Sequence, residues 1–325
     1  MNSPVKLAYR ITIALVLALA TLLSLSAGAH AYSVGMSDQK LGMWQDPRFE
    51  KLGIDRVRIL MSYDNVLRHD FSRYDQWMQA AQARGADVLL TIQHQQLHPR
   101  RLPSLRQYRR TIQLLRERYP WVTTMSAWNE ANHQTQPTFR HPRRAAQYYN
   151  IMREECSNCR VVAADVLDSS NMLPWLAKFK RYAHHPRLWG LHNYQDANKF
   201  RPLGSTGTRQ LLRAVRGEVW LTEAGGIVSF ANYYRGGRSG EARAARAVAR
   251  TFRIARMSPR IKRVYLYHWD ADPKFIRWDS ALVAASGRAR PALDVVRREV
   301  NRVRRGRAPA VPRLSKFPGK KVPLL

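Results

Sequence analysis

The sequence predicts one α/β domain built as a closed barrel, with eight parallel strands inside a ring of helices. Three observations lead there. Eight short strand-like runs recur along the chain. Several are almost continuous in apolar residues, as strands covered on both faces are. Between them lie stretches whose apolar residues repeat at helical spacing. Eight such units over about 290 residues fit the (β/α)8 architecture, which typically needs about 250. Alternation alone also allows an open doubly wound sheet. No Gly-x-Gly-x-x-Gly follows the first run and no Walker loop is present, which counts against a nucleotide-binding sheet.

The first segment lies outside the barrel. Lys6 and Arg10 precede an uncharged, Leu/Ala-rich run from Ile11 to Ala27. Ala29-His30-Ala31 then offers small residues at the two positions a signal peptidase reads. Residues 1–31 are therefore read as a secretory signal peptide, cleaved after Ala31. An uncleaved anchor helix is the alternative, and the run is at the short edge of spanning length. The mature protein is expected outside the cell, secreted or associated with the cell wall.

The strand runs follow in order: Ser33–Ser37, Arg56–Met61, Asp87–Gln93, Thr123–Trp128, Arg160–Ala164, Leu188–His192, Glu218–Thr222 and Arg263–Trp269. Core-facing helical stripes alternate with them. Tyr74, Trp77, Met78 and Ala81 share one face, and Leu105, Tyr108, Ile112 and Leu115 another. Leu173, Leu176, Phe179 and Tyr182 make a third, Ala245, Val248, Ala249 and Phe252 a fourth, and Ala292, Val295, Val296 and Val300 the last. The barrel is read as residues 32–301. Residues 302–325 are basic, contain proline and lack large apolar clusters, so they are read as a tail with little regular structure.

Composition limits the function. The chain has 325 residues with 55 Lys+Arg against 23 Asp+Glu, a net charge of +32, and 2 cysteines. Two cysteines exclude a disulfide-stapled mini-scaffold and a four-thiolate zinc site. In an exported chain, Cys156 and Cys159 read as a local structural disulfide. Redox chemistry or half of a zinc site is the cytosolic alternative. The charge implies attraction to polyanions. The basic tail is a candidate contact to an anionic wall or membrane surface, with a merely solvated tail as the plain alternative. No specific nucleic-acid partner is expected, and the chain is read as a monomer.

The chemistry sits at strand ends, because the loops of a barrel gather at the C-terminal face. The fourth run continues Trp128-Asn129-Glu130 and the seventh ends Leu221-Thr222-Glu223. A carboxylate emerging from a buried strand must be satisfied by partners or used for chemistry. Two of them facing one cleft suit glycoside hydrolysis, in which one carboxyl donates a proton and the other attacks or stabilises the anomeric centre.

Trp128-Asn129-Glu130 resembles the Asn-Glu motif ending strand four in the clan A glycoside hydrolases, which include families 5 and 39. The resemblance spans the whole barrel but rests on short motifs. It implies that Glu130 is the acid/base and Glu223 the nucleophile of a retaining hydrolase acting on O-glycosidic, β-type bonds. It further implies that Arg58 supports the nucleophile, that His192 and Tyr194 end strand six within the site, and that Trp269 floors a sugar subsite. Asn129 would contact the sugar 2-hydroxyl. The substrate would be an oligo- or polysaccharide, and the route calls for no metal and no cofactor. A non-catalytic carbohydrate, cell-wall or polyanion-binding protein on the same scaffold is the alternative.

Further residues stand near the expected rim: the aromatics Trp44, Tyr63, Phe230, Tyr233, Tyr234 and Trp278, and the acids Asp270 and Asp272. The Gly-rich stretch 233–240 reads as a flap or a plain connection. His94 and His98 are spaced for a helical metal site but fall at a strand end, and His184-His185 reads as a solvated pair.

Overall fold

The computed structural model describes residues 32–95, 97–273 and 277–306. The expected signal peptide and residues 307–325 of the tail lie outside the described residues.

The strands are β1 (Ser33–Ser37), β2 (Arg56–Ser62), β3 (Asp87–Gln93), β4 (Thr124–Ser126), β5 (Arg160–Val162), β6 (Asp165–Leu167), β7 (Leu188–His192), β8 (Glu218–Ala224), β9 (Ser229–Phe230), β10 (Ile261–Tyr267) and β11 (Trp278–Asp279). Nine of them form one parallel sheet in the order β5-β4-β3-β2-β1-β10-β8-β7-β6. The two ends of that order, β5 and β6, are consecutive in the chain. Ala163 and Ala164 join them, and both hydrogen-bond across to the β7 side, through Leu188 O and Gly190 N. One interrupted strand thus closes the barrel, and the eight-strand architecture holds. β9 and β11 make a separate antiparallel ribbon.

Side chains alternate along each strand. Val57, Ile59 and Met61 of β2, Val88, Leu90 and Ile92 of β3, and Val264 and Leu266 of β10 join the large core against the helices. The opposite parity fills the barrel. Leu89, Val162, Leu188, Trp220 and Tyr265 form a separate buried cluster, an apolar layer contributed by five strands. Gly35 makes room for it, since a Cβ there would lie 2.6 Å from Cδ1 of Tyr265. Above this layer the interior turns polar, with Ser37, Arg58, Thr91, Ser126, Asp165 and His192 all fully buried. The change of layer places charged chemistry at the C-terminal mouth over an apolar plug.

The helices bury the expected stripes with two shifts. On Met172–Lys180 the buried face is Met172, Trp175, Leu176 and Phe179, while Leu173 and Tyr182 are exposed. On Gly237–Ala255, Ala244, Ala247, Val248 and Phe252 are buried and Ala249 is exposed. The last helix runs Pro291–Arg304, a turn into the segment read as tail. Cys156, which ends the helix Pro142–Glu155, is disulfide-bonded to Cys159 beside β5. No helix among the described residues is long and apolar enough to cross a membrane.

Candidate active site

The site is organised around Arg58 on β2. Its side chain is fully buried. Nη1 donates to Glu223 Oε2 at 2.7 Å and to Ser37 Oγ at 3.2 Å. Nη2 donates to Asn129 Oδ1 at 2.7 Å and to Asp165 Oδ2 at 3.2 Å, and Nε donates to Thr91 Oγ1 at 3.2 Å. One guanidinium thereby ties together β1, β3, β6, β8 and the loop after β4. Burial opposes its charge, but the carboxylates of Asp165 and Glu223 outweigh that and hold its pKa above the ordinary value. Gly190 leaves space for the buried acid, because a Cβ there would lie 1.8 Å from Asp165 Oδ1.

A local irregularity aims Glu223. Between Gly190 and His192 on β7 there are two steps, while the matching positions on β8, Trp220 and Glu223, are three apart. The same extra residue appears against β10, where Val264 and Leu266 match Leu221 and Ala224. Strict alternation would send Glu223 to the helix side. The bulge brings it round to the side of Trp220 and onto Arg58. Tyr194 donates to its other oxygen, Oε1, at 3.1 Å. Burial, and then the charge of Glu223, keep the Tyr194 phenol far above its ordinary pKa, so it remains a donor.

Glu130 lies four residues beyond β4, in a turn, with a positive φ of 47° that non-glycine residues seldom adopt. Its Oε1 is 3.1 Å from His192 Nδ1. His192 Nε2 is 3.4 Å from Arg58 Nη2, which can only donate, so the neutral Nδ1–H tautomer satisfies both contacts. Burial opposes a further proton on the ring, whereas the charge of Glu223 and the bond to Glu130 raise its pKa. The facing guanidinium limits that rise, because a proton on Nε2 would point at a cation. Glu130 is held below the usual carboxylate range: burial pushes it up, but the His192 bond and the charges of His192, His133 and Arg58 outweigh it.

Glu130, His192 and Glu223 each offer one ligand-type atom within 4.8 Å of the others. The cation this cluster already holds is Arg58, which opposes a second one beside Glu223. Both carboxyls keep some exposure, 22% for the Glu130 side chain and 12% for Glu223, so both reach the cleft. Two carboxylates on a shared opening, one backed by a guanidinium and a phenol and the other by an imidazole, can transfer a proton on one side and stabilise positive charge on the other.

Of the residues the sequence analysis named, Arg58, Asn129, Glu130, His192, Tyr194 and Glu223 come together here. Trp269 does not. It is wholly buried, with Nε1 bonded to Asp46 Oδ2 at 3.0 Å and its ring edge-on to Phe49 at 5.3 Å. The expected sugar floor is corrected accordingly: β10 ends at Tyr267, two residues earlier than the predicted run, and Trp269 turns into the packing outside the barrel. Trp44 and Tyr63 are likewise core residues. Trp278, half-buried on the β9–β11 ribbon, sits edge-on to Tyr194 at 5.0 Å and to Phe230 at 4.9 Å, and so borders the site. The second half of the stretch read as a flap is the start of the helix Gly237–Ala255. His94 is bonded to the Gln95 carbonyl, and Asp270 pairs with Lys40.

Asp165 was not singled out from sequence. Its signal was an acid inside Val161-Val162-Ala163-Ala164-Asp165-Val166, a carboxylate in an apolar strand that requires a buried cation. Asp168 was missed as well. It accepts the backbone N–H groups of Gln195 and Asp196 and so anchors the short helix Tyr194–Asn198 that carries Tyr194.

No family model matches the sequence, and no curated protein matches it. Solved structures do match in fold. Xylanase 10B from Thermotoga maritima superposes with a TM-score of 0.61 over 87% of this chain and 98% of its own, at 13% identity. GH5_18 from Streptomyces cattleya, solved with GlcNAc, gives 0.58 over 84% and 80% at 17% identity. A family 39 glycoside hydrolase from Bacteroides cellulosilyticus gives 0.53 over 83% and 64% at 14% identity. The chain has the barrel fold of the clan A glycoside hydrolases.

Proposed function

We propose that the protein is a secreted retaining glycoside hydrolase, with Glu223 as nucleophile and Glu130 as acid/base. The observation that carries this reading is the pair of carboxylates with oxygens within 4.8 Å across one cleft. Retaining enzymes hold their carboxyl groups about 5–5.5 Å apart, whereas inverting enzymes leave about 6.5–9.5 Å for a water. Glu223, anchored by Arg58 and Tyr194, attacks the anomeric carbon. Glu130 in its protonated form gives its proton to the leaving oxygen, and in the second step it takes a proton from the water that displaces Glu223 from the sugar. The Oδ1 of Asn129 is occupied by Arg58, so its Nδ2 is the atom free to donate to a sugar 2-hydroxyl. Trp278 replaces Trp269 as the aromatic face offered to a ring.

The substrate is read as a β-linked oligo- or polysaccharide. Screening should begin with xylo-oligosaccharides, because the Thermotoga maritima neighbour is a xylanase. The test is proton NMR of the first-formed product from an aryl β-glycoside panel. Release of the β-anomer is expected. The α-anomer would refute the double-displacement route, and no turnover on any glycoside would favour a binding protein.

A further inference from the structure

We propose a second carbohydrate-binding site, specific for carboxylate- or sulfate-bearing glycans, on the outer flank of the barrel. A groove of about 620 Å³ lies between the helices Pro142–Glu155 and Met172–Lys180. Arg140, Arg143, Arg144, Lys178, Arg181 and Tyr182 line it, and no Asp or Glu does. Two other surface grooves contain acids, one with Asp75 and Glu117 and one with Glu218. Among the described residues none of the five cations here has an ion-pair partner, although Arg118 pairs with Asp75 and Arg160 with Glu218 at those other grooves. Five cations thus face one concave surface with no acid in its lining.

The groove also carries an aromatic side chain. Tyr182 is 43% exposed, and the Arg143 guanidinium stacks 5.0 Å from its ring centroid. Arg144 is fixed by a bond to the Pro103 carbonyl. The guanidinium groups offer paired N–H donors to the anion of an acidic sugar, and the exposed part of the Tyr182 side chain offers its ring edge and hydroxyl beside them. A membrane surface fits less well, because Tyr182 is the only large exposed apolar side chain in the lining. Arg140 lies near the end of the same loop that carries Glu130. The choice of a glycan as ligand rests on the glycoside-hydrolase reading, whereas the groove and its charge do not.

The experiment measures equilibrium binding of the full chain to polygalacturonate, to heparin, to anionic vesicles and to single-stranded DNA at physiological ionic strength. It compares the wild type with R143E/R181E and with R246E/R253E, an equal charge change on exposed arginines of the helix Gly237–Ala255. The groove variant should bind at least one of the two glycans about tenfold more weakly, while the control stays within about twofold. Equal losses in both variants would reduce the effect to net charge and overturn the proposal. So would a groove variant that loses only anionic vesicles or single-stranded DNA. Turnover of a short neutral aryl glycoside should be unchanged in R143E/R181E. Wild-type protein that binds through the groove but turns over no glycoside would reject the hydrolase and leave the binding site standing.

Discussion

Arg58 Nη1 lies 2.7 Å from Glu223 Oε2, and the same guanidinium holds Asn129 at 2.7 Å through Nη2. The bond joins β2 to β8 across the barrel, with the arginine wholly buried. A cation in that position fixes the orientation of the Glu223 carboxyl. It also balances Asp165, so the interior carries two acids against one guanidinium with His192 beside them.

Removing the arginine should be costly twice over. Arg58→Met leaves Asp165 and Glu223 buried without a cation, and breaking such a pair typically costs about 3–5 kcal/mol. Chemical denaturation should report that loss together with a collapse of kcat. Arg58→Lys restores a charge but not the planar fork, so it should recover stability more than turnover. A Met variant as stable and active as wild type would remove Arg58 from the account.

The two tryptophans should separate stability from substrate binding. Trp269→Ala empties a fully buried site and should cost about 3–5 kcal/mol in unfolding free energy. Trp278→Ala should leave stability within about 1 kcal/mol and raise KM several-fold. The reverse pattern would restore Trp269 to the cleft.

His192 should set the alkaline limb of the pH–rate profile. Its bond to Glu130 is among the influences holding that carboxyl below the usual range. Proton donation needs Glu130 protonated, so kcat/KM should fall as pH rises through the Glu130 pKa. His192→Ala removes the bond, raises that pKa and should move the limb to higher pH, even at a lower maximal rate. A limb that stays in place or moves to lower pH would exclude this coupling.

Asp168 should make the fold less stable as pH rises. Burial, then the charge of Asp196, push its carboxyl up to about 7. In the unfolded chain it titrates near the ordinary value of about 3.9. Between those values the folded state binds the extra proton, so this group's contribution is fully present below the lower value and is lost as pH climbs to the upper one. Denaturation of Asp168→Asn across that window should show a flatter slope than wild type. An unchanged slope would mean that Asp168 is ionised throughout.

Strand periodicity made most of the barrel legible in the sequence, because the helix-facing parity is so uniformly apolar in β2, β3 and β10. The site acids could be read from their place at the ends of apolar runs. The bulge that turns Glu223 inward was not legible, since it depends on how β8 registers against both neighbours. Nor was the fate of Trp269: one tryptophan after a strand looks the same whether the chain turns toward the cleft or into the packing, and Asp46 and Phe49 decide that from another loop. The stripe on Met172–Lys180 was misread by a step because Leu173 and Tyr182 are apolar by type yet lie on the solvent side. Asp165 escaped notice because the strand breaks at Ala163 and Ala164, just before it.

Attack on the sugar is assigned to Glu223. A 2-deoxy-2-fluoro glycoside of the sugar the enzyme releases should arrest the reaction after attack, and peptide mass spectrometry would then locate the adduct. One sugar bound to the Glu223 carboxylate is expected. An adduct on Glu130, or continued turnover with no adduct at all, would contradict it.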